Sequence, residues 1–134
     1  MPSRKPFWIL STTLLGLLFL NGCQALNPAC NLNSRPVPVI TTLMPSTATF
    51  AQVQSGFTLT VNGSKFYSNS VILLNGAPLT TTVVSDLVLT ATITQAQITA
   101  AGSSNITVHT PGSLSGDLGC DNGGTSAALV LTIT

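Results

Sequence analysis

The strict alternation of apolar and polar residues from position 57 to 61 restricts the fold of this chain more than any other feature. Phe57, Leu59 and Val61 occupy every second position, and Thr58 and Thr60 lie between them. A period of two on β-favouring residues predicts a half-buried strand whose apolar side chains all face one way. The chain is therefore expected to build its core from β-sheets.

The same alternation returns further along the chain, separated by turn-forming residues such as Asn75 and Gly76. The segments concerned are 87–93, 105–110 and 129–134, together with shorter apolar runs at 37–43 and 71–74. Several short strands separated by turns predict an all-β sandwich. We also expect an edge strand over Ala48 to Val53 and a single helical turn within 94–101.

Composition limits the function. The 134 residues suffice for one domain with a real core, 5% of them are charged, and the net charge is +1. Proteins that bind nucleic acid through phosphates present a basic surface. The sequence therefore predicts no nucleic-acid partner.

An apolar run near the amino terminus predicts export. It extends from Phe7 to Leu20 and follows Arg4 and Lys5. A membrane-spanning helix needs ~20 apolar residues, and this run falls short. A charged start, a short apolar stretch and small residues at its end are typical of a secretory signal peptide. We predict a signal peptide over residues 1–22.

The end of that run, Leu20-Asn21-Gly22-Cys23, resembles the bacterial lipobox. The resemblance implies cleavage before Cys23 and acylation of that residue; the alternative is an ordinary signal peptide with an incidental cysteine. Acyl chains contribute ~0.8 kcal/mol per buried methylene, so several of them would hold a small domain on a membrane. Residues 23–36 would be the tether, and Gln24 favours the outer membrane of the cell envelope, if the organism has one.

Several segments after residue 36 together resemble an IPT/TIG domain. They are 38–46, 57–66, 70–76, 89–93, 105–108, 111–112, 124–126 and the final strand. The resemblance covers almost all of residues 37–134 and implies an early-set immunoglobulin-like β-sandwich of about seven to eight strands. It also implies a module of the kind found in cell-surface receptors, in transcription-factor dimerisation regions, beside carbohydrate-active domains and in bacterial surface proteins.

The segment from Pro111 to Gly124 departs from that family, which usually crosses to the last strand in a few glycines. The insertion carries Cys120, and Cys30 lies just ahead of the first strand. In an exported chain, two cysteines besides Cys23 suggest a disulfide. In a sandwich, both positions belong to the same end, so we predict a bond between Cys30 and Cys120. Two free thiols, or a bond to another chain, are the alternatives.

Residues suited to catalysis or metal binding are few. His109 is the sole histidine, and no motif places a nucleophile beside it. Asp117 and Asp121 lie in the insertion, but a calcium site needs six to eight oxygens in a defined loop. We therefore predict no enzymatic activity, no catalytic residues, no cofactor and no metal.

The outward side of one predicted sheet is the best candidate for binding a partner. It is predicted to carry Ile72, Leu74, Thr107, His109, Val130 and Thr132. Aliphatic side chains grouped on a surface favour a docking role. The alternative is that these residues have no binding role and occur here because β-branched side chains suit exposed strands. We predict a non-enzymatic envelope lipoprotein whose domain acts as a protein-binding or structural module. A carbohydrate-binding accessory domain is the alternative, and a glycan would then be the partner.

Overall fold

Ten strands and one short helix make up the part of the chain that the computed structural model describes, residues 35–112 and 123–134. The strands are β1 (Val39–Met44), β2 (Thr47–Ala48), β3 (Phe57–Ser64), β4 (Val71–Leu74), β5 (Ala77–Pro78), β6 (Thr81–Ser85), β7 (Val88–Ile93), β8 (Gly102–Pro111), β9 (Gly123–Thr125) and β10 (Leu129–Ile133). The helix α1 spans Phe50–Ser55. No helix within these residues is long and apolar enough to cross a membrane.

Two sheets share the strands. The four-stranded sheet has the order β1-β3-β7-β6, and the six-stranded sheet has the order β2-β10-β8-β4-β5, with β9 also paired to β8. All pairs are antiparallel except β2 with β10. Strands β2, β5 and β9 have only two or three residues. The remaining seven form the predicted β-sandwich, which is confirmed.

Alternation along the strands places the core where the sequence predicts it. Leu59 and Val61 of β3 are buried, and their partners across the strand pair are Ala91 and Leu89 of β7. From the other sheet, Ile106 and Val108 of β8, among others, complete the same apolar cluster. Side chains from the two inner faces thus interdigitate in one core, the main source of stability in a sandwich.

The strand β3 ends at a position where only glycine fits. A Cβ atom on Gly63 would lie 2.0 Å from the carbonyl oxygen of Val39 and 2.7 Å from Cζ of Phe66. The close approach leaves room for Phe66 to fold back over the core, where it is buried. Phe66 therefore closes that end of the core.

The two ends of the sandwich differ in which chain segments meet there. At the end that we call the upper end, the chain enters at Arg35, and the β3–β4 loop, the β6–β7 turn and the outer ends of β8 and β9 come together. Hydrogen bonds join these segments, from the Gly63 N–H to the Leu87 carbonyl (2.9 Å) and from the Gly123 N–H to the Arg35 carbonyl (2.7 Å). The lower end holds α1 and Thr134, whose carbonyl accepts a hydrogen bond from the Phe50 N–H (2.7 Å).

Of two predictions of local structure, one is wrong and one is confirmed. The segment from Ala48 to Val53 is not an edge strand: β2 stops at Ala48, and α1 begins at Phe50. The single helical turn expected within 94–101 is present: the Ile98 N–H donates to the Thr94 carbonyl (3.2 Å), and the turn does not continue into a helix. Burial of Ile98 fixes that turn against the core.

Candidate functional site

The outer face of the six-stranded sheet is the surface to which the sequence assigned a binding role. Residues directly opposite each other in paired strands share a face. The pairing therefore groups the outward side chains of Val71, Leu73, Ser103, Asn105, Thr107, His109, Thr125, Val130 and Thr132. This set is called the outer face below. Its most exposed aliphatic residue is Val130, at 53%.

Two of the residues predicted for this face belong to the core instead. Ile72 is 0% exposed and Leu74 is 3% exposed. Their neighbours Val71 and Leu73 are half-buried and lie opposite His109 and Thr107 on the outer face. The prediction assigned the wrong side of β4, because that strand is four aliphatic residues in a row and has no alternation to read.

A signal that settles the side of β4 is present in the sequence. The Asn75-Gly76 turn pairs Leu74 with Ala77. Residues at 77 and 79 of an extended segment share a side, and Leu79 is a large apolar residue that needs burial. Leu79 is indeed buried, so its side of the hairpin, with Leu74, faces the core.

The remaining four predicted residues, Thr107, His109, Val130 and Thr132, lie on the outer face. Three of them are half-buried, because each packs against neighbours along and across the strands. Val130 lies opposite Asn105, and Thr132 lies opposite Ser103. The structure thus brings these four together on one sheet, although their role in binding stays a prediction.

A side-chain hydrogen bond on the outer face joins His109 to Thr125. The imidazole Nδ1 and the threonine hydroxyl are 3.0 Å apart, in directly opposed positions of β8 and β9. A hydroxyl beside an imidazole is also the start of a nucleophile–base pair, which needs a third group to orient the base. Among the described residues the sole side-chain carboxylate belongs to Asp86, in the β6–β7 turn of the other sheet. What the structure shows of the pair is a polar contact that joins β8 to β9 on this face.

A side-chain clamp fixes the lower edge of this face. Asn75 has a left-handed backbone conformation, with φ of 50°. Its amide oxygen accepts a hydrogen bond from the Asn105 N–H (2.7 Å), and its amide nitrogen donates to the Ser104 hydroxyl (3.3 Å). Asparagine tolerates this conformation better than most residues. The clamp holds the β4–β5 turn against β8.

Charge is absent from the outer face, where no Lys, Arg, Asp or Glu occurs among the residues that define it. Its groups are aliphatic side chains, hydroxyls, amides and one imidazole. A partner of such a surface would be held by apolar burial and neutral hydrogen bonds. Binding there is expected to depend weakly on salt, since screening acts on charges.

A family model for the IPT/TIG domain matches residues 38–132. The chain belongs to the IPT/TIG family. The resemblance inferred from the sequence motifs is thereby confirmed, and with it the immunoglobulin-like sandwich. The IPT/TIG domain is a non-catalytic type of module.

One solved structure with the same fold is the crystal structure of gamma-CGTase from alkalophilic Bacillus clarkii. It matches the IPT/TIG chain with a TM-score of 0.50 and 18% sequence identity, over 73% of this chain and 12% of that chain. This chain therefore spans about one eighth of that protein's length. At this identity the likeness shows the fold alone. No curated protein matches the sequence significantly.

The upper end of the IPT/TIG domain carries the polar groups that fix where the chain enters. The Arg35 guanidinium donates to the Pro111 carbonyl (3.1 Å) and lies 5.4 Å above the centre of the Tyr67 ring. Below it, the buried hydroxyls of Ser70 and Thr110 are 2.7 Å apart. These contacts tie the entering chain and the β3–β4 loop to the end of β8.

The other predicted site residues lie outside the described part of the chain. These are the lipid-attachment residue Cys23 and the disulfide pair Cys30 and Cys120, and the acidic residues Asp117 and Asp121 lie there too. Within residues 35–112 and 123–134, no group of three or more His, Cys, Asp or Glu residues could hold a metal ion.

Proposed function

We propose that the chain is a non-enzymatic lipoprotein of the cell envelope, anchored through Cys23, whose IPT/TIG domain binds a protein partner with the outer face of its six-stranded sheet. The uncharged composition of that face supports the proposal most directly. Exposed Val130 and half-buried Val71 and Leu73 supply apolar area beside Asn105 and Thr107. Neutral polar groups around an aliphatic centre are what protein interfaces typically contain.

Anchoring is tested by replacing Cys23 with serine. The lipobox resemblance at Leu20 to Cys23 supports acylation of this one residue. We expect Cys23→Ser to lose incorporation of a labelled fatty acid and to leave the membrane fraction. A variant that keeps the label and stays with membranes would show that Cys23 is not the anchor. Cys30→Ser is the matched control and should remain both labelled and membrane-bound.

Partner binding is tested by photo-crosslinking from two positions of similar exposure. A photoreactive residue at Val130, 53% exposed, reports on the outer face, and one at Met44, 61% exposed, reports on the other sheet. We expect a discrete crosslinked protein band from position 130 alone. Val130→Asp in the purified protein should weaken binding of the partner identified in this way, because a charge enters an apolar contact. Equal crosslinking from both positions would contradict the use of this face.

Carbohydrate binding is the second candidate. The family context that includes carbohydrate-active domains supports it, together with the fold shared with gamma-CGTase. Sugar rings commonly stack on exposed aromatic rings, but Phe66 is buried, and Phe50, Phe57 and Tyr67 are half-buried. Binding of the protein to a glycan array, lost in Thr107→Lys and kept in Met44→Lys, would favour this function over the first.

A further inference from the structure

We propose that the upper end of the domain rests on the phospholipid bilayer through a rim of exposed aliphatic residues. This proposal rests on the proposed lipid anchor at Cys23. The rim consists of Val37, Val39, Val84 and Leu87, each 45% to 62% exposed. They are four of the six large hydrophobic residues exposed in the described part of the chain, the others being Met44 and Val130.

The strand pairing places these residues at one end. Val39 opens β1 and lies opposite Ser64, the last residue of β3. The Leu87 carbonyl accepts a hydrogen bond from the Gly63 N–H, and the Leu87 N–H donates to the Ser85 hydroxyl (3.2 Å), next to Val84. The rim thus crosses the whole upper edge of the four-stranded sheet.

Val37 extends the rim toward the six-stranded sheet. A Cβ atom on Gly124 would lie 3.0 Å from Cγ2 of Val37, so the two residues are close neighbours. Although the side chain contacts Gly124, Val37 is still 47% exposed. The rim therefore runs from the β6–β7 turn to the start of β9.

The place where the chain enters selects a membrane as the occupant. Residues 24–34 separate Cys23 from Arg35, and Arg35 lies at the upper end. A fully extended segment of that length spans at most ~40 Å, and a flexible one averages ~20 Å. An acylated Cys23 would hold the rim within this distance of the lipid surface, whereas the outer ends of α1 and β10 would face away.

The tether also removes the need for a strong contact. Linking two sites by a short flexible segment gives an effective concentration in the mM range. A dissociation constant of about 1 mM, which is weak for a free protein, would then keep roughly half of the molecules docked. Four partly exposed aliphatic residues suit such a weak interfacial contact better than a stable protein interface, which buries far more surface.

The charges at the upper end predict little dependence on anionic lipid. Lys65 is exposed there, and Arg35 and Asp86 lie close by. In the sequence after Cys23, these three and the two aspartates Asp117 and Asp121 are all of the charged side chains. Two basic and three acidic groups give no net attraction to negative headgroups. Docking should therefore occur on zwitterionic phosphatidylcholine.

A tryptophan placed in the rim tests the proposal in the full-length lipidated protein. The single tryptophan of the sequence, Trp8, lies in the predicted signal peptide, so an introduced one is alone in the processed protein. We compare Leu87→Trp with Met44→Trp, which lies at the opposite end of the same sheet and is similarly exposed. Both proteins are reconstituted in phosphatidylcholine vesicles with brominated acyl chains, which quench nearby tryptophans.

Leu87→Trp should shift its emission to the blue and lose roughly half of its intensity, the occupancy expected from the tether, while Met44→Trp should change little. Adding Val39→Asp to Leu87→Trp should restore most of the intensity, since the rim would act as one surface. If the protein floats with the vesicles but both tryptophans are quenched equally or not at all, docking is wrong and the anchor stands. If the protein does not float, the anchor is wrong, and an unquenched Leu87→Trp then overturns docking as well.

Discussion

At the scale of single residues, burial distinguishes the core side of the six-stranded sheet from its outer face. Ile72 fills the core, whereas Val130, on a strand of the same sheet, is half exposed. Apolar identity alone does not distinguish them, since both are β-branched aliphatic residues on strands. What distinguishes them is the side of the sheet, which the pairing of β4 with β8 fixes.

Lysine at these two positions should therefore have opposite consequences. Ile72→Lys would bury an unpaired charge among apolar neighbours, and we expect a loss of about 3–5 kcal/mol or failure to fold. Val130→Lys should change the free energy of unfolding by less than about 0.5 kcal/mol. Urea denaturation of the soluble Cys23→Ser protein measures both.

A milder change keeps that comparison informative if Ile72→Lys does not fold. Ile72→Val removes one buried methylene and should cost about 0.5–1.5 kcal/mol. Removing one methylene at a solvent-exposed position should leave the free energy of unfolding almost unchanged. If Ile72→Val is neutral and Val130→Lys is strongly destabilising, the two sides of the sheet have been assigned the wrong way round.

At the scale of elements, the helix α1 shows how a local signal was missed. Its first turn has a capping box: the Thr49 hydroxyl accepts from the Gln52 N–H (3.3 Å), and the Gln52 side chain accepts from the Thr49 N–H (2.8 Å). The Thr-x-x-Gln pattern is visible in the sequence. Six residues are too few to form a stable helix alone, so this pattern by itself does not predict α1. Burial of Val53 and the hydrogen bond from the Phe50 N–H to the Thr134 carbonyl supply the remaining stabilisation of α1.

Removing that cap should destabilise the domain by a modest amount. We expect Thr49→Ala to cost about 1 kcal/mol, because one N–H at the start of α1 loses its acceptor. Thr49→Ser keeps the hydroxyl and should stay within a few tenths of a kcal/mol of the parent. Thermal unfolding of the three proteins ranks them. Equal losses in both variants would point to the threonine methyl group rather than to the cap.

The strands themselves followed from the sequence wherever alternation was strict. One alternating set of residues is buried on these strands: Leu59 and Val61 on β3, Leu89 and Ile93 on β7, Ile106 and Val108 on β8, and Leu131 and Ile133 on β10, while Leu129 is half-buried. Prediction failed on β4, where every residue is aliphatic and alternation gives no signal. The outward positions of Thr107, His109, Val130 and Thr132 were therefore predictable from alternation, while those of Val71 and Leu73 follow only from the β4–β5 hairpin and the burial of Leu79.

At the scale of the whole molecule, the two ends of the sandwich differ in a way that the strand order alone does not reveal. The chain enters at the upper end, where the exposed aliphatic rim also lies, and the outer face runs along the side of the six-stranded sheet. A lipid-anchored domain would thus use its end for the bilayer and its side for a partner. Contact of the upper end with the bilayer would leave the outer face accessible to a partner.

The upper end also holds Arg35 and Gly123, the described residues nearest in sequence to Cys30 and Cys120. Cys30 precedes Arg35 by five residues, and Cys120 precedes Gly123 by three. The Gly123 N–H donates to the Arg35 carbonyl at 2.7 Å, so the segments that connect these two residues to Cys30 and Cys120 begin at neighbouring positions. A disulfide needs its Cα atoms ~4.4–6.8 Å apart, well within the combined reach of segments of this length. We expect the bond between Cys30 and Cys120 to form in the exported protein.

Trypsin offers a direct measurement, because cleavage after the exposed Lys65 separates the two cysteines into different fragments. Without a reductant, we expect one species with the combined mass of both fragments, and a reductant should split it. Cys30→Ser is the control: its fragments should separate without reduction, and Cys120 should react with a thiol reagent. Closing so long a loop contributes about 4 kcal/mol on the chain-entropy model, so reduction should also lower the melting temperature. Free thiols at both positions, or a mass that corresponds to two linked chains, would contradict the bond.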